Sequence, residues 1–494
     1  VEAVNNYLKV FPGGGSYNKV LLGMGAIYFN RQMYQRAEEV YKQIIDKGSG
    51  EKEYYEALLF MAQCYFGQEK WPPAINAFEM VWKGSDNQGH RTTARKFLLQ
   101  AEFLSAKSHF ASANYDLAAQ AFAAIEQKYP GSEYGDIVLF NAAEAHEKKE
   151  RWNDATESYL QLVTKYPVSK LAADALFNAA GDFEKTDKYA RAADCYNQIV
   201  NQYATSDKAK DALFNLGLCY EKLGKLDEMA GVNERYSSMY PGEKDVETML
   251  LRSAAYYAKS NSFDKAINVY RNFVRRFPNS TRTIESLFMI AKCQYDMGDK
   301  DNAVLGFSQA EQQNIRFAQE GIETNNYYAS EAAFMTGMIK RDKFLAIKLI
   351  LPDEVLKRLV KEKSDLLNES AKAFQRVIQY QSEKMFEAAY RVGQLYEDMA
   401  IAYKEQDRPK LDPLKAAVME KDILNVSSQL MQKSFIPYTK VISLAKSFDS
   451  LTVDQRVWIQ KSQEGISGNF LKAGQMLFNS VAAMNDAPIP KEIQ

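Results

Sequence analysis

Histidine is the side chain that most readily does acid–base or metal chemistry near neutral pH, and this chain has three: His90, His109 and His146. His109 and His146 stand 37 residues apart, at a position where other stretches of the chain carry Tyr or Phe. This spacing indicates that the two imidazoles replace aromatic rings in a core. The sequence contains no His-Glu-x-x-His, Gly-x-Ser-x-Gly or Rossmann glycine pattern, so it predicts no catalytic residues.

The four cysteines, Cys64, Cys195, Cys219 and Cys293, are the other candidates for chemistry. No two of them have the spacing of metal ligands, and we expect no metal site. Cys195 and Cys219 fall on consecutive predicted helices, so a disulfide between them stays open, but disulfide geometry is strict. We expect all four to be small apolar side chains in helix packing.

A short glycine run, Gly13-Gly14-Gly15-Ser16 with Lys19, superficially resembles a phosphate-binding loop. It lacks the Gly-Lys-Ser/Thr ending and a preceding strand, and both are needed to place backbone amides around a phosphate. We therefore expect no nucleotide and no other cofactor.

Composition narrows the choice of partner. Across 494 residues, 62 Lys and Arg oppose 63 Asp and Glu, which leaves a formal net charge of −1. A chain without a basic excess has little attraction for nucleic acid or for an anionic membrane surface. No apolar run approaches the roughly 18 residues that a membrane helix needs. We expect protein partners.

An alanine recurs along the chain at a fixed spacing, and this spacing defines the elements that position everything else. Most steps are 37 residues, or twice 37 where Met229 takes the slot, and one step of 44 separates Ala74 from Ala118. The series is Ala37, Ala74, Ala118, Ala155, Ala192, Ala266 and Ala303. Four residues after each alanine comes Tyr or Phe, whereas Asn233 follows Met229. A period of about 20–50 residues indicates stacked supersecondary units.

Each unit reads as two amphipathic helices. In residues 210–241, Leu213, Leu216 and Tyr220 mark one face of a first helix. Gly224 is suited to a left-handed C-cap, and a second helix follows until Pro241. A small residue on the first helix faces the periodic alanine of the second, so the two backbones can approach closely. The sequence therefore predicts a stack of helical hairpins.

The order of small, aromatic, aromatic, Ala, aromatic and terminal Pro resembles the tetratricopeptide repeat (TPR). Eight such units can be laid out over residues 18–312, after the second helix of a truncated repeat at 1–17. The resemblance implies an all-α fold, a right-handed superhelical solenoid of antiparallel helical hairpins. We expect a helical C-terminal domain without a period at 313–494. Its longest helices are expected at about 362–381, 384–405, 413–446 and 453–485.

Two details of the repeat bear on location. The period is 37 instead of the usual value of about 34, and units end on Tyr-Pro-x-Ser, as at Tyr129-Pro130 and Tyr166-Pro167. This resembles the TPR subfamily of bacterial cell-envelope proteins, such as outer-membrane assembly lipoproteins and periplasmic cell-division coordinators. It implies a periplasmic protein that a missing region before residue 1 could tether to the outer membrane, with the cytoplasm as the alternative.

The resemblance also implies where a partner binds, because ligands of TPR proteins lie along the first helices on the concave face. Carried over to this sequence, that face has an apolar ladder suited to an extended peptide or a helix. Its rings are Phe103, Phe140, Phe177, Phe214 and Phe288, and its aliphatic members are Leu22, Leu59 and Leu251. Packing between helices is the alternative role for these side chains.

A charged pair repeats one turn beyond the ladder, as Glu147-Lys148, Glu184-Lys185 and Glu221-Lys222. The lysines Lys148, Lys185 and Lys222 could bind carboxylates or backbone carbonyls of a partner, and a solvated helix face is the alternative.

Together these features predict a protein–protein interaction scaffold. It would bind a partner segment on its concave face and help to assemble or position a bacterial envelope complex. A periplasmic chaperone or transport adaptor that holds unfolded client chains is the alternative, and assembly of copies through the repeat ends stays open.

Overall fold

The computed structural model describes residues 6, 9, 10 and 16–485, except for the side chains of residues 484 and 485. In this part of the chain all regular structure is helical, so the predicted all-α fold is confirmed. The chain forms two compact units, unit 1 (Val1–Lys225) and unit 2 (Leu226–Gln494). The predicted half-repeat at 1–17 and the glycine run at 13–15 lie largely or wholly outside the described residues.

Unit 1 is a row of helices in which each one packs against the next. Short connections between neighbours make the pairs antiparallel hairpins. Its described helices are α1 (Tyr17–Asn30), α2 (Tyr34–Ile45), α3 (Tyr54–Gly67), α4 (Trp71–Gly84), α5 (Gln88–Ala111), α6 (Tyr115–Lys128), α7 (Gly135–Glu147), α8 (Trp152–Lys165), α9 (Ala172–Lys185), α10 (Tyr189–Gln202) and α11 (Lys208–Lys222).

Unit 2 continues the hairpin pattern and ends in longer helices. It contains the last of the predicted repeats as well as the predicted C-terminal domain. Its described helices are α12 (Leu226–Met239), α13 (Val246–Lys259), α14 (Phe263–Arg276), α15 (Arg282–Asp296), α16 (Lys300–Glu320), α17 (Asn326–Ala346), α18 (Asp353–Gln379), α19 (Met385–Lys404), α20 (Pro413–Lys433), α21 (Phe435–Ala445) and α22 (Val453–Asn485).

The periodic alanines and the rings that follow them form the core, as predicted. Every alanine of the series is fully buried, and the rings four residues later are at most 3% exposed. The small residues of the first helices allow the close approach of the hairpins. A Cβ built on Gly25 would lie 2.3 Å from Cε1 of Tyr41, so only glycine fits there.

One turn residue in each hairpin has a left-handed backbone, and it also recurs with the repeat. These residues have φ between 55° and 87° and are Gln32, Glu69, Ala113, Glu150, Asp187, Gly224, Asn261 and Gly298. The next backbone N–H donates to the carbonyl five residues earlier, as from Lys225 to Tyr220 at 2.9 Å. This hydrogen bond defines the Schellman motif that ends a helix. The sequence indicated the motif at Gly224 and Gly298 alone. Four of the other six positions hold Gln, Glu or Ala, which seldom adopt this conformation, whereas Asp187 and Asn261 are of residue types that adopt it more readily.

Helix α5 has 24 residues, whereas α3 and α7 have 14 and 13. The step of 44 between Ala74 and Ala118 spans this helix, so the inserted residues lengthen a helix and do not form a loop. Its first turn is capped by Asn87, whose side-chain oxygen accepts from the backbone N–H of His90 at 3.1 Å.

The C-terminal helices follow the predicted bounds with two corrections. The helix expected at 362–381 is α18, which already begins at Asp353. The helix expected at 413–446 is two helices, α20 and α21, which meet at Ser434. The Ser434 hydroxyl is buried, donates to the carbonyl of Met431 at 2.6 Å and accepts from the amide of Asn469 on α22 at 3.1 Å. These contacts stabilise the break, which lies three residues before Pro437.

Candidate functional site

The first helices of unit 1 carry the aromatic ladder, and three of its rings pack inside their own repeats. Phe103, Phe140 and Phe177 are half-buried. Each contacts the ring 19 residues later on the second helix, with centroids 6.1, 5.2 and 5.5 Å apart. Edge-on and tilted ring pairs of this kind stabilise a core. Packing, the alternative role left open by the sequence, therefore describes most of the surface of these rings.

Phe214 differs from the other rings of the ladder because 61% of its surface is exposed. The adjacent Asn215 turns inward and donates to the Tyr196 hydroxyl at 3.3 Å, as Asn178 does to Tyr159 at 3.2 Å one repeat earlier. This hydrogen bond anchors α11 to α10, but its equivalent also lies beside the packed Phe177, so it does not account for the exposure of Phe214. A large exposed ring on a rigid helix is a candidate anchor for a partner.

Phe214 begins an exposed stripe along α11. Leu218 lies one turn later and is 44% exposed, and Lys222 follows after a further turn and is also exposed. Helix α9 packs against α11 and carries Gly181 at the position that corresponds to Leu218. A Cβ built on Gly181 would meet no atom within 4 Å, so the space over Gly181 is open. We call Phe214, Leu218 and Lys222, together with Gly181, the α11 surface.

Phe288, in unit 2, is the last ring of the predicted ladder, and it is interior. It is 8% exposed and packs between Phe307 and Tyr328, with both centroids 5.4 Å away. The aliphatic members Leu22, Leu59 and Leu251 are likewise at most 8% exposed. These four side chains contribute to the core and offer a partner little surface.

The three predicted lysines have different surroundings. Lys148 and Lys222 are exposed at the ends of α7 and α11. Lys185 is engaged within unit 1, since its Nζ lies 2.8 Å from Oδ1 of Asp182 and 3.9 Å from the centre of the Trp152 ring. An ammonium that is already paired and stacked on indole has less to offer a partner than one in water.

A pair of carboxyl groups beside Lys185 escaped the sequence analysis. Asp182 has a fully buried side chain, and its Oδ2 has no hydrogen-bond partner among the described residues. Burial and the neighbouring Asp182 raise the pKa of Glu147 from 4.5 to about 7. A detectable signal was present, because Asp182 occupies a repeat position that is Ala145 in the preceding unit and Cys219 in the following one.

The groups that could do chemistry are embedded in the core. All four cysteines are buried thiols without a disulfide, and burial raises the pKa of Cys195 to about 11 and that of Cys219 to about 12. Burial also lowers the pKa of His146, which is half-buried at its aromatic slot. Among the described residues no group of three or more His, Cys, Asp or Glu side chains could hold a metal ion.

Unit 2 contains a cleft that the sequence did not indicate. It has a volume of about 730 Å³ and lies between the start of α18, the end of α19 and α20. Its walls are largely apolar and include Leu356, Val360, Tyr403, Leu414, Val418 and Ile423. Acidic and basic side chains at the rim, such as Asp353 and Lys415, leave it without a strong charge of either sign.

Within residues 16–485 no helix has the length and apolar character of a membrane span.

Comparison with known families identifies the repeat. Two family models described as tetratricopeptide repeat match the chain, one of them over residues 177–243. The other matches 19–47, 100–132, 138–169, 247–280 and 285–313. No curated protein gives a significant match.

Solved structures similar to this chain include three examples of low identity, two of which are described as TPR proteins. A tetratricopeptide repeat protein from Parabacteroides merdae ATCC 43184 is 13% identical over 61% of this chain and 98% of its own, with a TM-score of 0.26. RapI in its apo form is 15% identical over 66% and 98%, with a TM-score of 0.27. YrrB, described as a TPR protein with an unusual peptide-binding site, is 14% identical over 40% and 93%, with a TM-score of 0.22. Scores this low support no argument about the site.

Proposed function

The chain contains tetratricopeptide repeats, and on that premise we propose that it is a non-catalytic scaffold that binds a segment of another protein on the α11 surface. TPR arrays are interaction modules, and the repeats match across both units. The observation that carries the proposal is the 61% exposure of Phe214, a ring whose counterparts in neighbouring repeats are packed.

The α11 surface defines the chemistry of the partner segment. An apolar side chain of the segment would cover Phe214 and Leu218 and enter the open space over Gly181. Lys222 on α11 and Lys148 on α7 would attract a carboxylate or the carbonyl end of a helix. The segment therefore has an apolar anchor flanked by acidic residues, in an extended or helical conformation.

Selection of displayed peptides on the immobilised chain tests this proposal. We expect enriched peptides to carry an apolar residue next to Asp or Glu, and Phe214→Ala to weaken their binding by about 10-fold to 100-fold, as an anchor residue does. Val168→Ala is the matched control, because Val168 is 96% exposed in a loop of the same unit. Peptides that bind wild type and the folded Phe214→Ala variant equally would remove the α11 surface as the binding site.

For the cellular setting we propose a bacterial envelope complex that the scaffold helps to assemble or position. The 37-residue period and the Tyr-Pro-x-Ser unit ends support this placement, because they resemble envelope TPR proteins. Fractionation of the source cells, with detection by an antibody raised against this chain, is the test. Recovery in the periplasmic or outer-membrane fraction is expected, whereas recovery with cytosolic markers alone would contradict the placement.

A chaperone or transport adaptor for unfolded client chains is the second candidate, and the apolar cleft of unit 2 is the observation that favours it. A client site of this kind would accept many apolar segments, and salt would have little effect on binding. A scaffold on the α11 surface prefers one class of acidic segment and loses affinity in salt. Binding of a permanently unfolded protein at low and high ionic strength, with Val418→Glu in the cleft and Phe214→Ala on α11, distinguishes the two.

A further inference from the structure

Between Ser462 and Ser480, helix α22 buries mostly small and polar side chains, with Met476 as the exception, and exposes large apolar ones, which is the reverse of the usual arrangement. Its buried face packs against α19, α20 and α21 of unit 2 and consists of Ser462, Asn469, Ala473, Met476 and Ser480. Hydrogen bonds hold this face in place, among them one from Ser428 to the carbonyl of Ala473 at 3.1 Å. The helix is therefore fixed by its polar side, and its apolar side is available.

The exposed side of α22 is a continuous apolar stripe over three turns. The exposed fractions are 69% for Phe470, 73% for Leu471, 42% for Leu477, 71% for Phe478 and 60% for Val481. At 100° per residue all five lie within about 60° of the direction of Gly474, so they share one face. We call these five residues and Gly474 the α22 stripe.

Four of the five side chains of the α22 stripe are arranged symmetrically about Gly474, and Val481 lies outside this symmetry. Phe470 and Phe478 lie four residues before and after Gly474, and Leu471 and Leu477 lie three residues before and after it. An antiparallel copy of the same helix, related by a two-fold axis at Gly474, would place each Phe470 against the other Phe478 and each Leu471 against the other Leu477. Such an interface is isologous, as in most homodimers.

Gly474 suits the centre of this arrangement. A Cβ built on it would meet no atom of its own chain within 4 Å. The absent side chain would let two helix axes come close where they cross, since interaxial distance depends on the side chains at the contact.

Charge does not oppose the pairing of two stripes. Lys472 is the sole charged residue between positions 465 and 485. Its Nζ lies 2.9 Å from Oε1 of Glu397 on α19, so its charge is compensated within the chain. Two copies would therefore bring no unpaired like charges together.

The exposed area fits a second copy. The five side chains expose roughly 600 Å² per chain, given the 150–250 Å² that an aromatic side chain can bury. This matches or exceeds the largest apolar patch of a typical monomer, about 300–600 Å². Complete coverage of both stripes would bury at most about 1,200 Å², which reaches the lower limit for a specific stable interface.

We propose that the α22 stripe binds a second copy of this chain and forms an antiparallel homodimer with its two-fold axis at Gly474.

Sedimentation of the 494-residue chain across a concentration series tests the dimer. We expect the mass to approach twice 56.1 kDa at micromolar concentration. Phe470→Glu/Phe478→Glu and Val481→Glu should each raise the dimer dissociation constant, the double variant by at least about 100-fold. Val168→Glu is the matched control, because it adds the same charge at an exposed valine of unit 1 that is not part of the stripe. A single-chain mass at every concentration overturns the proposal. Binding of that monomer to phosphatidylcholine vesicles would not rescue it, because the occupant of the stripe would then be a lipid surface.

Cysteine cross-linking tests the direction of the pairing, since the four native thiols are buried. Gly474→Cys should form a disulfide with itself across the axis. Phe470→Cys should cross-link to Phe478→Cys in a mixture of the two variants but not to itself. Self cross-linking of Phe470→Cys as efficient as that of Gly474→Cys overturns the antiparallel arrangement, and so does a dimer whose mass is unchanged by Phe470→Glu/Phe478→Glu.

Discussion

Phe177 and Phe214 occupy the same position of consecutive repeats, yet Phe177 packs edge-on against Tyr196 at 5.5 Å and Phe214 is 61% exposed. Identical residues at identical repeat positions therefore have different roles. The first maintains a hairpin, and the second is available to a partner. This difference makes the two positions an internal comparison for separating stability from binding.

Truncation of the Phe177 ring should affect stability, whereas truncation of the Phe214 ring should affect binding. Phe177→Ala removes a ring contact within its hairpin and should lower the free energy of unfolding by about 2 kcal/mol, less than for a fully buried ring. Phe214→Ala should change it by less than about 0.5 kcal/mol, as at most surface sites, and should weaken binding of the selected peptides. Chemical denaturation and peptide titration of both variants provide the measurement. Equal loss of stability in the two variants would contradict the packing difference.

Charge reversal of the exposed lysines should affect binding but not folding. We expect Lys148→Glu/Lys222→Glu to weaken acidic peptides about 10-fold at low salt, because two attractions become repulsions. The difference should shrink at high ionic strength, where exposed charges are screened. Isothermal titration at two salt concentrations measures it, with Lys170→Glu in an exposed loop as the control. An effect that is independent of salt would exclude an electrostatic role.

Lys185→Glu should behave differently, since Lys185 neutralises Asp182 at 2.8 Å. The variant would add a third acidic group beside the buried Asp182 and Glu147, and should destabilise the fold by more than 1 kcal/mol. Thermal denaturation beside Lys148→Glu, which removes an unpaired surface lysine, makes the comparison. Similar melting temperatures for the two single variants would show that the ion pair contributes nothing.

Glu147 should make stability depend on pH. Its pKa is raised from 4.5 to about 7 by burial and by Asp182, so the folded chain retains this proton more strongly than the unfolded chain. The stabilisation is complete below pH 4.5 and is lost as the pH rises through 7. Glu147→Gln, which mimics the protonated form, should be more stable than wild type by about 1 kcal/mol at pH 8 once solvent screening is allowed for.

The difference between Glu147→Gln and wild type should vanish near pH 4.5. Urea unfolding at several pH values gives the profile, and Glu133→Gln, at an exposed position, serves as the control. A constant difference between pH 5 and 8 would contradict protonation of Glu147.

At the left-handed turn positions, glycine should be the least strained residue. Gly224→Ala places a Cβ at φ 67° and should lower the free energy of unfolding by about 1 kcal/mol. Ala113→Gly removes a Cβ at φ 60° and should raise the free energy of unfolding above that of wild type by part of that amount. Gly242→Ala is the control, because it stands in open space with an ordinary φ. Unfolding free energies of the three variants are the measurement, and a neutral Gly224→Ala would contradict the strain.

The repeat made most of the fold predictable. Ala155 and Tyr159 could be assigned to the core because the same residue types recur at a fixed spacing, and both are fully buried. The left-handed turns were harder to see, since Glu69 and Glu150 have no side chain typical of that backbone. Asp182 and the α22 stripe were missed because burial depends on the neighbouring helix, which a single segment does not specify. For the same reason the packing of Phe177 and the exposure of Phe214 could not be distinguished.

The lengthened helix α5 shows how this architecture accepts change in size. The step across it is seven residues longer than the others, and seven residues return a helix to within about 20° of its starting direction. An insertion of this length keeps every contact face pointing the same way, whereas one of five or six residues would turn the helix's inner face outward. A helix of such an array can therefore lengthen or shorten by about two turns without changing its packing against the neighbouring helices.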